Sequence, residues 1–279
     1  MGDKTISITV TDILCDGPAL SAAAALALRD GAHLDVFCVG IDPVQYSNAA
    51  VGSIIMYDTG QHETEKQANA LVEWAKSAMP LGLERTSIRP VVIQQLGLDH
   101  TLSRLIRYSD LVVATKPYGE GRSAWQVAVL DAALLGTKAP VMIVPDGVFE
   151  FSKPFKRVMV AWNDSDEVWS SLQKNLTLLK RASHVDIVLV NPTVHSAERS
   201  DPGGAVSAFL GRHGVKTEVC ILARSLPRVS DVLLRFAQEQ AVDAIVMGAY
   251  GHSRLREAIL GGVTRDLLEH GALPIIMAQ

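Results

Sequence analysis

Short apolar runs bounded by turn residues alternate along this chain with longer segments whose apolar positions recur at helical spacing. The first run, Lys4 to Val10, is followed by an alanine- and leucine-rich stretch, Pro18 to Arg29, whose residues favour a helix that Gly31 stops. His33 to Val39 reads as the second strand, and the IleAspPro behind it marks a loop. Gln45 to Gly60 reads as a long connection, either a packed crossover or a cover over a cleft, before an amphipathic helix from Glu63 to Met79. Thr86 to Gln94 is a strand, Asp99 to Tyr108 a helix with Asp99 as its N-cap, and Leu111 to Thr115 a strand. A helix from about Ala124 to Leu135 and a closing strand, Val141 to Val144, complete the series. Strands alternating with helices need crossover connections, which predicts an α/β fold with a parallel sheet covered on both faces.

After AspGlyValPheGluPheSerLysProPhe the same order starts again. Arg157 to Trp162, His184 to Val190 and Thr217 to Leu222 read as strands, separated by helices from Asp166 to Arg181 and Gly204 to Arg212. A helix from Pro227 to Gln240 leads into the next apolar run. The halves also agree in detail: AspGlyAlaHisLeuAspValPheCysVal is answered by AlaSerHisValAspIleValLeuVal, and AspLeuValValAlaThrLysProTyrGly by AspAlaIleValMetGlyAlaTyrGly. Each half closes on a proline and a short aliphatic strand. Two tandem doubly wound domains are therefore expected, over residues 1–146 and 155–279.

The stretch from Ala241 to Thr264 has the pattern of a strand, a glycine-rich turn and a helix start. Asp243 opens it, the run Ala244 to Met247 suits a strand buried on both faces, and the chain breaks at Gly248. Gly248 and Gly251 bracket a turn where backbone can approach a ligand, and Gly261 and Gly262 repeat the device before a helix that begins ValThrArgAsp. The exposed N–H groups of such a helix start favour an anion.

The spacing Gly-x2-Gly-x9-Gly followed by a small residue resembles the nucleotide-binding signature of the universal stress protein family, and the likeness continues into Val263, Thr264 and the closing LeuProIleIleMet. With the repeat, the chain looks like a tandem member of that family. The resemblance implies two five-stranded parallel sheets flanked by helices, of the adenine nucleotide alpha hydrolase-like kind. It also implies a pseudo-dimer within the chain in which Val141–Val144 and Ile275–Ala278 meet, and it leaves a homodimer open. The ligand it implies is ATP or another adenine nucleotide, with Mg2+ admitted only as the nucleotide's companion.

The same resemblance distributes the site. Ala161 and Asn163 would stand at the first strand end of the second half, Val190 beside the base, and Gly248, Tyr250 and Gly251 along the ribose and phosphate turn. Gly261, Gly262, Val263 and Thr264 would form the phosphate-facing helix start. Two positions depart from the family pattern: Asn163 stands where the family has Asp, and Gly262 where ATP-binding members have Ser or Thr. An amide keeps a donor and an acceptor but loses the charge, and a glycine keeps a backbone donor but loses a hydroxyl. Trp162 reads as a stacking partner for a base or as core, and His252, Arg254 and Arg256 as phosphate neighbours or a solvated face. In the first half, aligning Tyr118–Gly119 with Tyr250–Gly251 puts Val127 and Ala128 where the second half has its glycine pair, so the phosphate turn is missing there.

At 279 residues, 48% of them hydrophobic, the chain has room for two folded cores, and its net charge of −4 offers no general attraction to nucleic acid or to an anionic membrane. Cys15, Cys38 and Cys220 are odd in number and far apart, without the spacing that would suggest a disulfide framework or metal site, and a reducing cytoplasm is the natural setting. MGDKTISITV lacks the features of a signal peptide, and no segment is long and apolar enough to span a bilayer. No metal or catalytic motif emerges from local spacing. The leading reading is a cytoplasmic, ATP-binding regulatory module of the stress response that acts on a protein partner. A non-nucleotide interaction protein of the same fold is the alternative, and a weak ATPase ranks below both.

Overall fold

The computed structural model describes residues 3–43, 53–192, 201–249 and 262–279, with 53–60 as backbone only. By its internal contacts the chain forms two compact units, one of Gly2–Ala139 with Gly147–Ser152, the other of Pro140–Asp146 with Lys153–Gln279.

In the first unit, strands β1 (Thr5–Val10), β2 (His33–Asp42), β3 (Thr86–Gln94) and β4 (Leu111–Thr115) pair in parallel in the order β3-β2-β1-β4. Ile6, Ile8, Val10, Leu34 and Val36 have no exposed surface, each contributing about 1.5–3 kcal/mol relative to a solvated side chain. Helix α1 (Gly17–Asp30) lies against β1 on a face of small side chains, Ala19, Ala22, Ala23 and Ala27 all being buried. Helix α2 (Ser53–Ala78) begins within the stretch expected to be a connection, so the crossover is largely helical; residues 44–52 lie outside the described residues. Helices α3 (Leu98–Ile106) and α4 (Ala124–Gly136) complete the unit. Asp99 is not the cap of α3: Gly97, in the left-handed conformation, takes the N-cap position, and Asp99 stands in the first turn.

The second unit repeats the order. Strands β6 (Arg157–Ala161), β7 (His184–Val190), β8 (Thr217–Leu222), β9 (Ala244–Gly248) and β10 (Ile275–Ala278) run in parallel as β8-β7-β6-β9-β10. Its helices are α5 (Asp166–Lys174), α6 (Leu176–Arg181), α7 (Gly204–Arg212), α8 (Val229–Glu239) and α9 (Gly262–His270). The single helix expected from Asp166 to Arg181 is divided at Asn175, which leaves the helical region at φ −97° and ψ 12°, and its side-chain amide donates to Ser171 O at 2.8 Å beside its own backbone N–H at 3.0 Å. Strand β5 (Val141–Val144), the last strand of the first sequence half, belongs to this unit and pairs antiparallel with β10, Ile275 opposite Ile143. The two closing strands thus meet as the resemblance implied.

One side-chain device recurs in both units. Asp110, just before β4, accepts from Lys4 N and Thr5 N at 2.8 and 2.9 Å, and Asp243, just before β9, accepts from Lys156 N and Arg157 N at 2.6 and 2.8 Å. Each carboxylate satisfies the free N–H groups where the neighbouring strand begins, which fixes the register of the central strand pair.

Candidate functional site

In the second unit the chain runs from β6 outward through β7 to β8, then returns to lay β9 on the other side of β6. The switch point, where connections leave the sheet in opposite directions and open a crevice, lies between the carboxyl ends of β6 and β9. Ala161 is the last residue of β6 and Gly248 the last of β9, while half-buried Val190 ends β7 on the far side of β6. Asn163 follows β6, exposed, with its amide oxygen accepting from Ser165 N at 3.3 Å. Asp164 between them adopts a left-handed φ of 59°, and Ser165 caps α5 by accepting from Val168 N. The fold therefore gathers Ala161, Asn163, Val190 and Gly248 at the strand ends.

Gly248 has a use within the chain itself. A Cβ at this position would lie 2.6 Å from Val168 N and 2.9 Å from Glu167 C, so the missing side chain lets the first turn of α5 sit against β9. Gly262 differs: it is exposed, it opens α9, and an added Cβ would meet nothing within 4 Å. Val263 and Thr264 follow in the first turn, Val263 half-buried and Thr264 buried, where the first N–H groups of a helix have no partner within it. Tyr250, Gly251 and Gly261 lie outside the described residues, as do His252, Arg254 and Arg256. Trp162 is buried at 8% exposure, which assigns it to the core rather than to an open stacking surface.

The first unit has the matching switch point between β1 and β4, built differently. The aligned positions Val127 and Ala128 lie within α4, which starts at Ala124 behind a capping box of Ser123 and Gln126. Six residues, 11–16, separate β1 from α1, against four, 162–165, between β6 and α5. The longer loop brings Asp16 back onto the strand ends, where its buried carboxylate accepts hydrogen bonds from Thr11 and Asp12 backbone and from Thr115 Oγ1. Sequence reasoning did not find Asp16. The added loop length was the available signal, but the partner Thr115 stands 99 positions away.

At the opposite, amino ends of β6 and β7, His184 Nε2 lies 3.1 Å from Asp186 Oδ1 and 3.6 Å from Glu218 Oε2. These are metal-ligand residue types, but Arg157 Nε and Nη2 donate to both oxygens of Asp186 at 2.6 and 2.9 Å. Hydrogen bonding to Asp186 raises the Arg157 pKa, and the group works as an ion pair tying β6 to β7. Among the described residues, no helix is long and apolar enough to cross a membrane.

Residues 154–279 match the model of the universal stress protein family. Over 125 residues the chain is 28% identical to a universal stress protein of Synechocystis sp., covering 43% of this chain and 41% of the relative. Over 47 residues it is 30% identical to a universal stress protein of Methanocaldococcus jannaschii, covering 17% and 29%. The match thus spans less than half the length of either curated relative. The crystal structure of a universal stress protein from Archaeoglobus fulgidus DSM 4304 aligns over 99% of this chain and 96% of its own, with a TM-score of 0.70 and 14% identity, a likeness of fold.

Proposed function

We propose, from the premise that this chain belongs to the universal stress protein family, that its C-terminal half binds an adenine nucleotide, ATP above all, as a regulatory module of the cytoplasmic stress response. The observation that carries this reading is a coincidence of topology and motif: Gly248 ends β9 beside the switch point, and Gly262 opens α9. In this arrangement the base would lie beside Val190, with Ala161 and Asn163 as part of the nucleotide pocket, the ribose and phosphates along the turn of Gly248, Tyr250 and Gly251, and Gly261, Gly262, Val263 and Thr264 as the phosphate-facing helix start. Mg2+ enters this reading only as the nucleotide's companion, balancing the phosphate charge. Nucleotide occupancy would alter the surface offered to a protein partner.

Calorimetric titration of the full chain with ATP and Mg2+, beside the variant Gly261→Val, tests the site. The reading expects one binding event in the unaltered chain and an affinity at least about tenfold weaker in the variant, where a branched side chain obstructs the backbone approach to phosphate. Equal affinities with both proteins folded would refute the assignment.

A further inference from the structure

We propose that Asp16 is a built-in anion: its carboxylate occupies, from within the chain, a ligand place at the switch point of the first unit and closes that crevice to external anions. The inference stands on the first unit alone and does not depend on nucleotide binding in the second.

The carboxylate sits where a ligand would be expected in a sheet of this topology, between the carboxyl ends of β1 and β4. It meets a ready set of donors. Oδ2 accepts from Thr11 N at 2.7 Å, Asp12 N at 3.0 Å and Thr11 Oγ1 at 3.3 Å, and Oδ1 accepts from Thr115 Oγ1 at 2.5 Å. Two successive backbone N–H groups and two hydroxyls converging on one anion are the kind of donor set with which proteins bind small oxyanions. With Asp16 only 2% exposed, the charge is held by these bonds rather than by water. Burial raises its pKa, and the bonds from Thr115, Thr11 and Asp12 oppose that rise.

Beside the carboxylate is a small cavity lined by Thr9, Thr11, Asp16, Thr115, Gln126 and Val129. Among the described residues, the buried Thr9 Oγ1 finds no hydrogen-bond partner, while Gln126 Nε2 donates to Thr11 Oγ1 at 3.3 Å. Polar side chains thus line the crevice around the carboxylate, in contrast to the apolar core beside it. The loop that supplies the plug is braced by a turn within it, Leu14 N donating to Asp12 Oδ1 at 2.8 Å, and tied to the rest of the unit where the buried Cys15 thiol donates to Gly121 O at 3.3 Å. In the second unit the residue after Trp162, Asn163, turns its amide oxygen to the neighbouring Ser165 N. The two units thus differ at their switch points in two ways: the first has Val127 and Ala128 in place of the glycine pair, and it carries an internal anion.

The test is chemical rescue of the full-length variant Asp16→Ala. Truncation leaves the four donors without an acceptor and a hole of about the size of formate, so the melting temperature should fall by roughly 5–15 °C. Sodium formate should then restore several degrees in a saturable manner, relative to sodium chloride at the same ionic strength. The unaltered chain and Asp16→Asn, whose place is already filled, should show no such formate-specific gain. If Asp16→Ala does not fold unaided, formate-dependent refolding, read by circular dichroism, is the supporting result. A variant as stable as the unaltered chain, equal formate effects on all three proteins, or no recovery with formate would each overturn the proposal.

Discussion

Alanine in place of Gly248 should damage this protein, whereas alanine in place of Gly262 should not, although both glycines belong to one motif. At Gly248 the new Cβ would lie 2.6 Å from Val168 N and 2.9 Å from Glu167 C. Both are backbone atoms, so no rotamer change relieves the overlap, and α5 must retreat by about 0.8 Å to reach ordinary contact at 3.4 Å. That retreat loosens Val168 and Leu172, neither of which has exposed surface. Overpacking of this kind costs about 3 kcal/mol, at the upper end of the usual range, because the obstacle is rigid. For a unit of this size the melting temperature should fall by roughly 6–12 °C. At Gly262 nothing lies within 4 Å of the added Cβ, and replacing a helical glycine reduces the freedom of the unfolded chain, so stability should hold or rise by up to about 1 kcal/mol. Urea unfolding followed by circular dichroism, with m-values compared, resolves both effects. A Gly248→Ala protein within about 0.5 kcal/mol of the unaltered chain, or equal responses at the two glycines, would show that the close approach of α5 to β9 is not what requires Gly248.

Three further outcomes are expected. Gly262→Ser supplies a hydroxyl in open space at the start of α9, and calorimetry should find ATP bound more tightly by roughly 1.5–3 kcal/mol at best. Asp243→Ala frees Lys156 N and Arg157 N at the head of β6 and should cost about 1–3 kcal/mol in denaturant unfolding, with Asp110→Ala costing a similar amount in the first unit. Burial pushes the Cys38 thiol from 9.0 up to about 12. Because the folded pKa is the higher one, the folded state keeps its proton while the unfolded state loses it, and stability should fall by about 1.4 kcal/mol per pH unit as pH rises from 9.0 towards 12. Cys38→Ala should lack this component of the decline in parallel unfolding curves.

The repeat was legible because each strand is short, aliphatic and set between helical segments, and because AspLeuValVal and AspAlaIleVal carry the same acidic entry in both halves. The structure gives those aspartates a job, since each ties down the start of the adjoining strand. Local competition was harder to read. Nothing in the apolar spacing of 166–181 distinguishes a continuous helix from one that Asn175 interrupts, and a glycine in the left-handed conformation at Gly97 outcompeted Asp99 for a cap. Gly248 could be recognised as a place needing bare backbone, but the identity of the neighbour, the α5 turn, depends on how strand and helix pack. Asp16 was hidden most completely. A carboxylate in a loop ordinarily faces water, and its partners Thr11 and Thr115 converge only when β1 and β4 lie side by side.

The count of nucleotides held by one chain tests the central claim most directly. Native mass spectrometry of the full-length protein, titrated with ATP and Mg2+, should show a single bound nucleotide per chain that saturates, and Gly261→Val should lose it. A chain that holds two nucleotides with equal affinity, or that remains unliganded at millimolar ATP, would contradict a site built in the C-terminal half alone.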